Sequence, residues 1–384
     1  MEKEDFISLL IYLLMGAVVV MIGILVFRPA MEAGYLFNSA GENFLFLFAS
    51  LAIAIVANVF LLEIGHLLGA KLGKYKILSF NIFGFGIYKT RNEEGKEKSK
   101  FRFGKFNGLG GQTVISPKSE KSNPMPYVFT PLLLMLLEFV ALYCVFAFIK
   151  NVTDDSKVML MAVKYGVVVL ATIGACFIIY NYFPAKLDSL NDGYRILLLN
   201  KKINIEAYNY KLKNEETEFF GEKVEEIRVF EEITDFTANV NFDAAIQETI
   251  KKDFEKALEI VNKTTADKKK MASSTYRKFV LLKVFLAYLL QSEEEATALY
   301  KDKVASTELS DLARNCKNYD GLRVYVAYVG ISEKSLNEIK FALEKKKKLD
   351  KKQDKVEAAK QNELLKIIIE KISETIPQAK ELEL

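Results

Sequence analysis

The chain has 384 residues, a hydrophobic share of 51% and a formal net charge of +4. Such a length accommodates two domains, and neither zinc-knuckle spacings nor an aromatic–basic surface motif is present, so nucleic acid is excluded as a partner. Cys144, Cys176 and Cys316 form no CxxC pair and no even framework, which predicts a reducing interior rather than disulfides.

Four stretches are long enough for a ~30 Å hydrocarbon core, which takes about 20 helical residues. They are 7–27, 44–70, 127–149 and 158–182. The first is too long for a signal-peptide core. Its leading residues are of mixed charge (Glu2, Lys3, Glu4, Asp5), and no small-x-small cleavage site follows, so it is expected to remain as a span. Segment 71–126 carries 12 Lys/Arg against 4 Asp/Glu, a net of 12 − 4 = +8, whereas the connections at 28–43 and 150–157 carry few positive residues. The positive-inside rule then places 71–126 and both termini in the cytoplasm.

The second span contains Glu63 and His66, the only histidine in the chain, at i and i+3 on one helical face. Ionisable groups inside an apolar span are costly, so function is the default expectation. The pattern is one position short of His-Glu-x-x-His, in which two imidazoles at i and i+4 hold zinc and the Glu is the general base. Leu62 stands at the first of those positions and has no donor atom. Gly65 and Gly69 form a small-x-x-x-small pair, expected to let this span pack closely on the fourth.

After this span, 77–88 is rich in β-forming residues, with Gly84 and Gly86 suggesting bends or close backbone approach. Residues 101–106 alternate and Gly108–Gly111 punctuate, so two or three short strands are expected at the membrane boundary. The fourth span ends in Asn181-Tyr-Phe-Pro184, followed by Asp188 and Asp192-Gly193. Pro184 breaks the helix, and Asn181 is placed to satisfy freed backbone groups or a substrate strand. Asp188 and Asp192, at i and i+4, are rival oxygen ligands for a metal. Cys176 reads as core filler, and Tyr182 and Tyr194 as amphipathic anchors at the interface.

Taken together, the membrane Glu63-x-x-His66, the glycine-punctuated strands and the later Asn181-x-x-Pro184 with Asp192-Gly193 resemble the site-2 protease family. These are intramembrane zinc metalloproteases that cut transmembrane segments or peptide precursors from the cytoplasmic side. The resemblance covers 44–195. It implies His66 as a zinc ligand, Glu63 as general base, Asp192 (or its rival Asp188) as the third ligand, and Asn181 and Pro184 shaping the substrate loop. Two departures matter: Leu62 replaces the first zinc histidine, and the interval from Asn181 to Asp192 is longer than usual. Zinc is therefore expected to be weak or absent in this chain, either as a natural pseudoprotease or as an inactivated variant. An isolated Glu/His pair could also be a satisfied buried contact without chemistry.

Residues 201–384 hold 34 Lys/Arg and 34 Asp/Glu, and no proline separates Pro184 from Pro377, so this half reads as helical. Amphipathic segments recur at 243–263, 272–291, 292–304, 306–318, 333–349 and 354–375. Within them Phe279–Leu290 is too short to span and reads as a buried core helix. Helix pairs of this size suggest a tetratricopeptide-like solenoid or a plain bundle. Lys345–Lys348 read as a solvated face, with anionic headgroups as the alternative contact.

The sequence thus predicts an α-helical polytopic membrane protein. Its parts are an N-terminal span and outer loop (1–43), a site-2-protease-like core with membrane-boundary strands (44–200) and a cytoplasmic helical domain (201–384). Expected partners are the lipid bilayer, a transmembrane or peptide substrate pairing with the edge of the 77–88 strand, and a protein on the cytoplasmic domain. The rival from another class is a non-enzymatic membrane adaptor that recruits a cytoplasmic or transporter partner.

Overall fold

The structure is a computed structural model. It describes residues 3–28, 40–92, 94–103, 111–151, 158–185, 191–351 and 355–382. The chain forms two compact units, Met1–Glu216 and Thr217–Leu384.

Four helices in the first unit are long and apolar enough to cross a bilayer: α1 (Lys3–Ile22, prolonged by a π-helical turn over Gly23–Phe27), α2 (Ala40–Leu72), α3 (Met125–Ile149) and α4 (Val158–Tyr182). Their best windows have mean hydropathies between 2.1 and 2.9. Leu25, Phe44, Phe48, Ile53, Tyr143 and Phe148 all stand exposed on them. Water would make that surface costly and hydrocarbon does not. Among the described residues of the second unit, Phe341 is the only exposed large hydrophobic. The first unit is a helical membrane protein in its surface as well as its lengths.

α2 is the central helix of this unit and packs against both α3 and α4. Its small residues face α3, not the fourth span expected from sequence. A Cβ on Gly65 would run into the backbone of Pro131, and one on Gly69 into Pro126 and Tyr127. The two helices touch at backbone distance because neither glycine holds them apart.

Between α2 and α3 the chain builds an antiparallel sheet of order β3-β2-β1-β4, with β1 Tyr75–Ile82, β2 Phe85–Arg91, β3 Glu97–Phe103 and β4 Gly111–Pro117. Phe83 and Gly84, at φ 49° and 88°, make the two-residue turn that sets Ile82 opposite Phe85. Positive φ at both central positions is the type I′ geometry that follows strand twist. Gly86 makes no bend; it lies within β2, opposite Asn81 and Arg102. Four strands are therefore present where two or three were expected. The 77–82 stretch is the sheet interior, paired on both sides, and among the described residues the free edges belong to β3 and β4.

Two further helices, α5 (Asp192–Leu198) and α6 (Lys202–Phe219), follow α4. Asn209 takes the Tyr75 hydroxyl and donates to Ser122 O at 2.8 Å, while Glu216 receives Ser116 Oγ at 2.5 Å and Lys76 Nζ at 2.7 Å. These bonds tie α6 to the sheet, which is why the first unit runs to Glu216 rather than ending at the compositional change near 200.

The second unit has one hydrophobic core. Its helices are α7 (Asp235–Ile250), α8 (Phe254–Thr265), α9 (Ser273–Leu290), α10 (Glu293–Tyr300), α11 (Leu309–Arg314), α12 (Tyr319–Ile331), α13 (Leu336–Asp350) and α14 (Lys355–Ser373). Phe279, Leu281, Leu282, Val284, Phe285 and Leu286 make α9 the buried helix expected from its length. The segment 243–263 is two helices, broken where Lys252 takes φ 66° and Asp253 caps α8 by accepting from Lys256 N at 3.1 Å. α14 packs on α12 and on α7. A linear solenoid contacts only its neighbours, and the contact of α14 with α7 goes beyond that pattern.

Candidate functional site

Glu63 and His66 lie one turn apart on α2 and are buried, with 6% and 8% of their surface exposed. The sheet comes to meet them. Thr113 Oγ1 on β4 donates to Glu63 Oε2 at 2.8 Å, and Tyr127 OH on α3 donates to the Thr113 carbonyl at 3.1 Å. A Cβ on Gly111 would overlap the Glu63 side chain, so β4 can lie on the carboxylate only because that residue is glycine. Glu63 also experiences the charges of His66 and Asp192.

The ring of His66 is fixed from two sides. Nδ1 donates to the Tyr127 carbonyl at 3.1 Å, and Nε2 faces Asp192 Oδ2 at 3.4 Å. Tyr127 O is available because Pro131, four residues on, has no N–H to complete the helical bond. Donation from a ring N–H to a backbone carbonyl in this way sets both tautomer and ring plane.

Asp192 is brought to His66 by a stitched junction between α4 and α5. Pro184 likewise leaves Tyr180 O without its helical donor, and Asn191 Nδ2 supplies one at 3.0 Å, donating to Phe183 O at 2.6 Å as well. Asn191 Oδ1 accepts from Tyr194 N at 3.0 Å, the N-cap bond of α5. A Cβ on Gly193 would strike the Tyr182 carbonyl, so the Asp-Gly pair admits the close approach that aims Asp192 inward. Arg195 Nη1, one turn on, lies 3.4 Å from Asp192 Oδ1.

The structure thus gathers Glu63, His66 and Asp192, and the fourth span ends at Tyr182, before Pro184, as expected. Asn181 Nδ2 donates to Phe177 O at 2.9 Å within its own helix, and the freed carbonyls are satisfied by Asn191. Asp188 lies outside the described residues. Tyr182, expected as an amphipathic anchor at the interface, is buried. Sequence reasoning missed Thr113, Tyr127 and Asn191. The alternation in Gly111-Gln-Thr-Val-Ile-Ser116 was the available signal for β4.

A catalytic zinc takes three protein ligands, each ~2.0–2.1 Å from the metal. The 3.4 Å between Nε2 and Oδ2 suits two ligands of one tetrahedron, but the half-buried Leu62 contributes no donor. Among the described residues, no group of three His, Cys, Asp or Glu side chains is placed to hold a metal ion. The residues present do not fit a catalytic zinc.

The fold and site define a helical membrane protein with a buried Glu–His–Asp cluster beside a small sheet. In comparisons with protein-family models, curated proteins and solved structures, nothing matches this chain.

Proposed function

We propose that this chain is a site-2-protease-type membrane protein that receives an extended transmembrane or peptide segment and, as written, binds it without hydrolysis. The observation that carries this reading is the 3.4 Å approach of His66 to Asp192, which joins the Glu-x-x-His helix to the Asp-Gly turn. Neither a packing histidine nor a sheet-capping glutamate requires that meeting. The strand that would take a substrate is β4, not 77–88, because β4 has a free edge and carries Thr113 beside Glu63. Main-chain pairing there would give affinity, and side-chain pockets specificity. The charge of 71–126 supports a cytoplasmic-facing site and cytoplasmic termini.

The test is the zinc content of the purified chain beside its Leu62→His variant. About one zinc per chain in the variant and none in the parent is the expected result, since the substitution completes the ligand set. Equimolar zinc in the parent would show that Leu62 does not break the site. Zinc in neither would shift the balance to the membrane-adaptor reading, which the separate helical unit 217–384 favours as a partner platform. Unimpaired cellular function in a Glu63→Ala variant would point the same way.

A further inference from the structure

Away from the Glu63–His66 face, α2 and α3 border a groove of about 860 Å³ lined by Ala52, Val56, Phe60, Leu61, Leu134 and Glu138 among others. Every lining side chain except Glu138 is apolar. Glu138 Oε2 is buried with no hydrogen-bond partner. Glu138 lies 138 − 125 = 13 residues from the start of α3 and 149 − 138 = 11 from its end, so it sits about 20 and 17 Å from the two ends of the helix. A carboxyl at mid-bilayer without a donor is an expensive arrangement, and such groups normally pair.

From this we infer that the α2–α3 groove is the docking site for a transmembrane helix of another protein, one carrying a lysine or arginine at mid-span. The apolar walls suit a helix rather than a polar ligand. Ala52, Ala57 and Ala141 in the lining allow close backbone approach, and a basic side chain at that depth would give Glu138 its missing donor. A second copy of this chain does not supply it. Within the four spans the lysines and arginines are Lys71, at the end of α2, and Lys164, near the start of α4, whose Nζ donates to Lys150 O at 2.8 Å; neither is at mid-span. The groove does not use Glu63, His66 or Asp192, so the inference stands apart from the proposed function.

The full chain in lipid nanodiscs can be titrated with labelled leucine–alanine transmembrane peptides bearing either a central lysine or a central leucine. The lysine peptide is expected to bind about 3- to 30-fold more tightly, the range of one interhelical hydrogen bond in a bilayer. Glu138→Leu should erase that preference, and Glu138→Lys should transfer it to a peptide with a central glutamate. The charge reversal guards against simple misfolding, because a collapsed groove cannot gain a new preference. Equal binding of both peptides by the parent chain, or no binding of either, overturns the inference, as does Glu138-dependent self-association in place of peptide binding.

Discussion

The most informative residues of the site are the ones that complete bonds broken by proline. Asn191 makes four: its amide donates to two carbonyls at the end of α4, and its oxygen accepts from Ala185 N and, as the cap of α5, from Tyr194 N. Asn191→Ala should therefore lower stability by roughly 2 kcal/mol, read as a shift in thermal unfolding in detergent, and should also loosen Asp192 from His66. An unchanged unfolding midpoint would show that the junction is held by other contacts. Thr113→Val keeps the shape of the strand but removes the hydrogen bond that β4 gives the Glu63 carboxylate. Its expected cost is about 1–3 kcal/mol from a buried acceptor left unmet. Glu63 and His66 were legible in the sequence because charge in an apolar span stands out against its neighbours. Thr113 and Asn191 were not, because hydroxyl and amide groups are common in loops and only their positions in space make them partners.

At the scale of elements, glycine and proline decide where helices meet. Gly65 and Gly69 bring α2 onto Pro131 and Tyr127, so Gly65→Val should push α2 from α3 and weaken the unit by at least ~1–3 kcal/mol through overpacking. Loss of monodisperse protein on size exclusion would register it, and a variant as stable as the parent would contradict the contact. The spans were readable almost to their ends, since their length and hydropathy admit few alternatives in a bilayer. The sheet was only half readable. Its I′ turn at Phe83-Gly84 is a local signal, but β4 pairs with β1 from Ile82–Gly111 out to Tyr75–Pro117, and nothing local announces a partner so distant. Helix α7 was misjudged for a related reason: a charged Lys-Lys-Asp break looks like the solvated face of a longer helix until Lys252 turns to positive φ.

Across the whole molecule, the two units are built for different solvents, and the polar clasp of α6 on the sheet is titratable. Burial alone would raise the Glu216 carboxyl, but hydrogen bonds from Lys213, Lys76 and Ser116 outweigh it and hold it at about 2. A carboxyl depressed from 4.5 stabilises the fold fully above the unfolded value and loses that contribution as pH falls from about 4.5 towards 2. Unfolding of the first unit should thus become easier over that window, and Glu216→Gln should flatten the dependence while costing about 2 kcal/mol at neutral pH. A parent and variant with parallel pH profiles would remove Glu216 as the cause.

Pro131 sits within α3 and Pro184 just past the end of α4, yet each withholds one amide proton, and a polar side chain of the site answers each vacancy: His66 at Tyr127 O, Asn191 at Tyr180 O. Substituting alanine for either proline would return a main-chain competitor to the carbonyl. The imidazole or the amide would then have to share an acceptor it now holds alone. The two imino acids thus act at a distance as reservations: each keeps a lone pair free inside a helix, where the regular ladder would otherwise have claimed it.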